Sequence, residues 1–305
     1  MKNYFKVLLL QLKLCFIFFA SPGLKGGDLV RDGNFKHQVS IKLWNTMSTH
    51  CGGSIIDEEF VLTSATCAMP HGKKITLLKV IARRQVQNDI EVFEIDVEKI
   101  YVPRGYSRVM SADGIFIKDD IAVLKLSNSL MLERNTLLGK IDLPERNSNY
   151  NEGPAKISGY GESQQNRWMH NTLNRKQTFH PQNTASRNIL SSTYWLRYAN
   201  VTVFRNSQCT RNSKMIVKVT NQMICGQVVP PGGVCRTDRG NGLISGNTII
   251  GVLSLEAQGC NEADSHSVYT KVLSYLKFIH RAKTQSKITT GMRIYDFKSD
   301  LYKCL

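Results

Sequence analysis

Apolar and polar residues alternate along this chain in short runs rather than long ones. In Val39-Ser40-Ile41-Lys42-Leu43-Trp44, apolar and polar side chains take turns as far as Leu43. That spacing puts the apolar groups on one face of a half-buried strand. Comparable β-rich runs cover residues 90–97, 121–126 and 248–253, and Gly, Asn, Pro or Ser separate them. Many short strands with turn residues between them predict an all-β barrel or sandwich. A helical period is clear only near the end, where Tyr275, Leu276, Ile279 and Ala282 form one apolar face of a short helix. Two segments are polar and irregular: residues 162–193 and the tail after Lys283.

The start of the chain follows a different pattern. A basic opening with Lys2 and Lys6 leads into an apolar stretch that ends at Ala20, broken only by Gln11 and Lys13. The small residues Ser21-Pro22-Gly23 follow it. This order predicts a secretory leader over residues 1–23, cut after Gly23 or, as the alternative, after Ala20. No later stretch is long and apolar enough to span a bilayer. The expected product is therefore secreted and extracellular, with no membrane association.

Composition adds two constraints. The 305 residues carry 40 Lys and Arg against 24 Asp and Glu, a formal charge of +16. Such a charge attracts polyanions, yet no compact basic cluster stands out, so the expected role of the charge is a solvated surface. Of the eight cysteines, Cys15 leaves with the leader. Seven remain, an odd number, so at least one cannot pair within the chain. His37, His71, His170, His180, His266 and His280 are scattered, and none has metal-ligand spacing with another His, Cys or carboxylate. There is no Gly-rich phosphate loop and no aromatic-interleaved basic motif of a nucleic-acid binder. No cofactor, metal or specific nucleic acid is expected.

The motifs give the chain a family likeness. Cys51-Gly-Gly-Ser-Ile-Ile-Asp-Glu-Glu-Phe-Val-Leu-Thr-Ser-Ala-Thr-Cys67 resembles the segment of chymotrypsin/trypsin-like serine proteases that runs from Cys through Gly-Gly-Ser to Ala-His-Cys. Further matches follow in family order. They are the strand Asp119-Asp120-Ile121-Ala122-Val123-Leu124-Lys125-Leu126, the turn Ile157-Ser158-Gly159-Tyr160-Gly161, and Met223-Ile224-Cys225. Cys235-Arg236-Thr237-Asp238-Arg239-Gly240 stands at the nucleophile loop, and Val268-Tyr269-Thr270-Lys271-Val272 at the closing strand. The resemblance covers residues 24–282 and leaves 283–305 as a basic tail. It implies two antiparallel six-stranded β-barrels with a short C-terminal helix. It also implies the disulfides Cys51–Cys67, Cys209–Cys225 and Cys235–Cys260, which leaves Cys304 single. An exposed thiol rarely survives in an oxidising compartment, so Cys304 is expected in a mixed or intermolecular disulfide, as a homodimer or a link to a partner, with trimming of the tail as the alternative.

The departures from the family pattern lie where its chemistry is done. Such a protease needs a hydroxyl nucleophile, an imidazole base and a buried carboxylate. Asp120 keeps the carboxylate, but Thr66 stands at the histidine place and Arg239 at the serine place. A threonine hydroxyl is no base near neutral pH, and a guanidinium is permanently charged. Thr237, Gly233, Val234, Glu256 and Ser267 alter the surroundings of the oxyanion site and the specificity pocket. The expectation is a degenerate triad and no enzyme. The chain resembles the inactive, secreted serine protease homologues of insect haemolymph and reproductive secretions, without a clip domain. Such a homologue would act as a binding or regulatory protein towards an active protease or its substrate. The alternative is a residual or unconventional serine hydrolase.

Three further expectations complete this reading. Leu24-Lys25-Gly26-Gly27 takes the place of the family's freed N-terminus, so cleavage after Gly23 would let the Leu24 amine pair with Asp238. Asn200-Val201-Thr202 is a glycosylation sequon. The loop 162–193, with Trp168 and Phe179 in it and Trp195 beside it, is either a binding element or a tolerated insertion.

Overall fold

The computed structural model describes residues 24, 27–31, 33–44, 46, 49–69, 77–86, 89–111, 114–160, 196–212, 218–229, 233–256, 266–284 and 291–297. After a short strand β1 (Asp28–Leu29), the first barrel is built from β2 (Gln38–Leu43), β3 (Cys51–Asp57), β4 (Phe60–Thr63), β5 (Leu78–Val86) and β6 (Asp89–Pro103). A separate hairpin, β7 (Ser107–Ser111) and β8 (Gly114–Lys118), precedes the sixth barrel strand, β9 (Ala122–Leu126). The order β6-β5-β2-β3-β4-β9 closes through β6–β9 pairing. The second barrel uses β10 (Gly153–Gly159), β11 (Arg197–Phe204), β12 (Met223–Val228), β13 (Gly242–Ser245), β14 (Thr248–Leu255) and β15 (His266–Lys271). Its order β11-β10-β13-β14-β15-β12 closes through β11–β12, and β1 adds to β11. Two closed six-stranded antiparallel barrels are thus present, and closure leaves no free edge between first and last strand.

Alternation in the sequence becomes alternation in burial. Along β11, Ala199, Val201 and Val203 are buried while Asn200 and Thr202 are exposed. Val39, Ile41, Ile55, Val80, Ile100 and Leu124 share the core of the first barrel. Leu24, Ile157, Val201, Leu243, Leu253 and Tyr269 share that of the second. A third cluster joins the barrels, with Leu62 and Val123 from one and Ile244 and Val252 from the other. The expected apolar face of the terminal helix, Leu276–Lys283, docks there through Ile279 and Ala282, with Tyr275 just ahead of it.

The tail is more than a basic extension. Residues Met292–Asp296 form a strand, β16, which pairs antiparallel with β6 from Met292↔Pro103 to Asp296↔Lys99. Met292 and Phe297 are buried, so the packed domain reaches past residue 282. The period-2 signal was present in Met292-Arg293-Ile294, but three residues are too few to separate a strand from a loop. The loop 162–193 lies outside the described residues.

Candidate active-site cleft

The four-residue helix Ala65–Ala68 begins at Ser64, whose hydroxyl accepts from the Cys67 amide at 3.1 Å. This is an N-cap, and it satisfies an amide that so short a helix cannot. The Cys51–Cys67 disulfide ties the helix to β3. Thr66 is thereby presented to Asp120. The Thr66 amide donates to Asp120 Oδ1 at 2.7 Å, and its hydroxyl donates to Oδ2 at 3.1 Å. That hydroxyl also lies 3.1 Å from the Tyr106 hydroxyl.

Asp120 is 2 % exposed and stands where both barrels meet. From the second barrel, Ser254 donates to its Oδ2 and Thr270 to its backbone carbonyl. Burial pushes its carboxyl above the ordinary range, while the bonds from Ser254 and Thr66 pull it back. The preceding residue, Asp119, has a left-handed backbone, φ 53°, and its carboxylate accepts from the Tyr275 hydroxyl at 2.7 Å. A strained turn persists when its surroundings over-determine it, as these bonds do.

Arg239 follows the 3-10 turn Arg236–Asp238. Its carbonyl accepts from the Gly52 amide and the Gly240 amide donates to Leu253, both at 2.8 Å, so the turn is held between the barrels. Gly240 has φ +82°, and a Cβ there would sit 2.3 Å from Gly52 O and Thr63 Oγ1. Only glycine fits that approach. The Arg239 guanidinium forms a two-pronged ion pair with Glu256, Nε to Oε2 and Nη2 to Oε1. Side-chain exposure is 12 % for Arg239 and 17 % for Glu256, so the pair is largely shielded from water. Fork-to-fork geometry of this kind is the strong form of arginine–carboxylate pairing.

The structure thus brings Thr66, Asp120 and Arg239 to one cleft. Sequence reading missed three members of the cleft. Tyr106 directly precedes the hairpin and Arg108 lies in its first strand, and neither belongs to a motif. Glu256 was read as a pocket wall, with no signal that it meets Arg239. Thr237 is partly exposed, with a buried hydroxyl that has no hydrogen-bond partner among the described residues. Val234 and Ser267 are buried in the second barrel.

The remaining predicted positions fall as follows. Cys209–Cys225 forms, with Cα atoms 5.9 Å apart. Cys235 is disulfide-bonded too, while its expected partner Cys260, and Cys304, lie outside the described residues. Leu24 is 1 % exposed and packs in the second core. Asp238 is fully buried and accepts from the Cys235 amide at 2.9 Å and from the Asn241 side chain at 3.3 Å. Asn200 is exposed on β11.

Comparison with known proteins places this geometry. The trypsin family model matches residues 24–189 and 181–279. The trypsin Tyr p 3.0101 of Tyrophagus putrescentiae is 28 % identical over 272 residues, covering 87 % of this chain and 81 % of that protein. Chymotrypsin-like elastase family member 1 of Bos taurus is 29 % identical, covering 84 % and 88 %. The solved structure of mouse neuropsin, a serine protease, superposes with a TM-score of 0.60 at 20 % identity, over 85 % of this chain and 99 % of that one, and supports the fold. These findings overturn the expectation that the chain is no enzyme, because the family and the relatives are proteases by name. The expectation weighed two side chains, Thr66 and Arg239, whereas the match runs along the whole barrel region.

Proposed function

Because the chain belongs to the trypsin family of serine proteases, we propose that it works in an extracellular fluid by binding or regulating a protein partner through the cleft between its barrels. The carrying observation is the Arg239–Glu256 ion pair, set beside Thr66 on Asp120. These side chains hold a charged pair and hydrogen-bonded hydroxyls rigidly in place, which makes the cleft a preformed polar surface for recognition. Membership of a family of generally secreted proteases, together with the leader-like residues 1–23, supports the extracellular setting. A protease of the same fluid, or that protease's substrate, is the partner that a shared fold suits.

Family membership also favours a second reading, peptide hydrolysis by a serine elsewhere in the chain, since position 239 holds arginine. The two readings separate in one experiment. The purified protein is added to a trypsin-family protease acting on its protein substrate, and in parallel is treated with a fluorophosphonate serine probe. A dose-dependent change in the partner's cleavage rate without labelling supports binding. An unchanged rate overturns it, and covalent labelling replaces it with hydrolysis.

A further inference from the structure

We propose that the cleft receives a carboxylate, that Arg108 is the residue that takes it, and that the partner therefore presents an acidic peptide segment. The inference rests on the binding reading above and names the chemistry of its partner.

The hairpin places Arg108. In the β7–β8 register Arg108 faces Ile117 and Met110 faces Ile115, so these four side chains share one face. Val109, Phe116, Ser107 and Lys118 occupy the other face, and all are exposed. Ile117 is 6 % exposed and packs with Met223, Leu255 and Val268 of the second barrel. Arg108 therefore lies on the inner face, half-buried, where the hairpin leans across the cleft.

The guanidinium of Arg108 has no hydrogen-bond acceptor among the described residues. Four partly buried arginines have described side chains, and the other three are all engaged. Arg197 donates to the Gly27 carbonyl, Arg239 to Glu256, and Arg293 to the carbonyls of Arg104 and Tyr106. Arg108 is near enough to feel Asp120 and Glu256 as attractive charges and Arg239 as a repulsive one. Those carboxylates are already occupied, Asp120 by Thr66 and Ser254, Glu256 by both prongs of Arg239. A partly desolvated cation with unused donors and a like charge beside it is costly until an anion arrives. Burial, and then the Arg239 charge, push the Arg108 guanidinium below its ordinary range, which is the direction an incoming carboxylate would reverse.

A carboxylate is the anion the surroundings suit. It matches the planar fork of arginine. Met110, 74 % exposed on the same hairpin face, offers an apolar contact to a neighbouring side chain. The excess of basic residues, which persists after Lys2, Lys6 and Lys13 leave with the leader, would draw an acidic segment in from a distance.

The test is fluorescence anisotropy with a labelled short peptide of glutamate and leucine, against the same peptide with glutamine for glutamate. The acidic peptide is expected to bind at least about tenfold more tightly, in line with hydrogen bonds to charged groups. Arg108→Ala and Arg108→Gln should each weaken it about tenfold and leave the glutamine peptide unaffected, while Arg108→Lys falls between. Arg205→Ala, which breaks an exposed pair with Glu152 outside the cleft, should change nothing. Thermal melting of each variant checks that it folds, and the isosteric Arg108→Gln serves if Arg108→Ala does not. Equal binding of both peptides, no binding of either, or Arg108 variants that bind as wild type does would overturn the inference. So would an Arg205→Ala loss equal to that of Arg108→Ala, since charge in general would then account for binding. The binding reading itself stands or falls on the partner's cleavage rate.

Discussion

His37 should make the stability of this protein fall on mild acidification. It sits just ahead of β2, 5 % exposed, and its carbonyl accepts from the Ile55 amide at 2.8 Å. Its Nε2 has no hydrogen-bond partner among the described residues. Burial lowers its pKa from 6.5 to about 4. In the window between those values the unfolded chain binds a proton that the native chain refuses. Stability is then full above 6.5 and is lost as pH falls towards about 4. One pKa unit corresponds to about 1.36 kcal/mol, so the whole drop is worth about 3 kcal/mol. That is a large share of the 5–15 kcal/mol, roughly, that holds a domain together. Urea unfolding of wild type and His37→Leu across this pH range measures it. Asp57 and Glu94, whose ion pairs hold their pKa values down, also lose stability in acid, and so does buried His266; the variant keeps all three. The difference between the two proteins therefore isolates His37. If the two curves run parallel from 6.5 to 4, the imidazole is not buried in its neutral form and the reasoning fails.

Two further outcomes are expected. Glu256→Gln leaves Arg239 shielded and without its carboxylate, so it should cost about 2 kcal/mol or more in denaturant unfolding; removing both partners as Arg239→Met with Glu256→Leu should cost less. A double variant as unstable as the single one would show that the pair is not the unit that matters. N-terminal sequencing of secreted protein should begin at Leu24, whose side chain is already seated in the second core; a start at Ser21 or upstream would refute the predicted pairing of its amine with Asp238.

Period-2 runs and turn residues were enough to predict an all-β chain, and the order of motifs implied two barrels, because local pattern and short motifs are properties of consecutive residues. The same held for Thr66, Asp120 and Arg239, each inside a recognisable segment, and for the pairs Cys51–Cys67 and Cys209–Cys225. Tertiary structure decided what depends on residues far apart in the chain. Arg239 meets Glu256 only because the residues after the 3-10 turn bond to the end of β14, the Gly240 amide to the Leu253 carbonyl, which sets the two side chains side by side. Ser254 reaches Asp120 across 134 positions of sequence. Arg108 is half-buried only because Ile117, on the opposite strand of its hairpin, packs against the second barrel. The tail strand β16 has too short an alternation to predict, and only its pairing with β6 and the burial of Met292 and Phe297 define it. Sequence pattern reports which side of an element is apolar; which element covers that side, and which charges it brings together, is settled by packing alone.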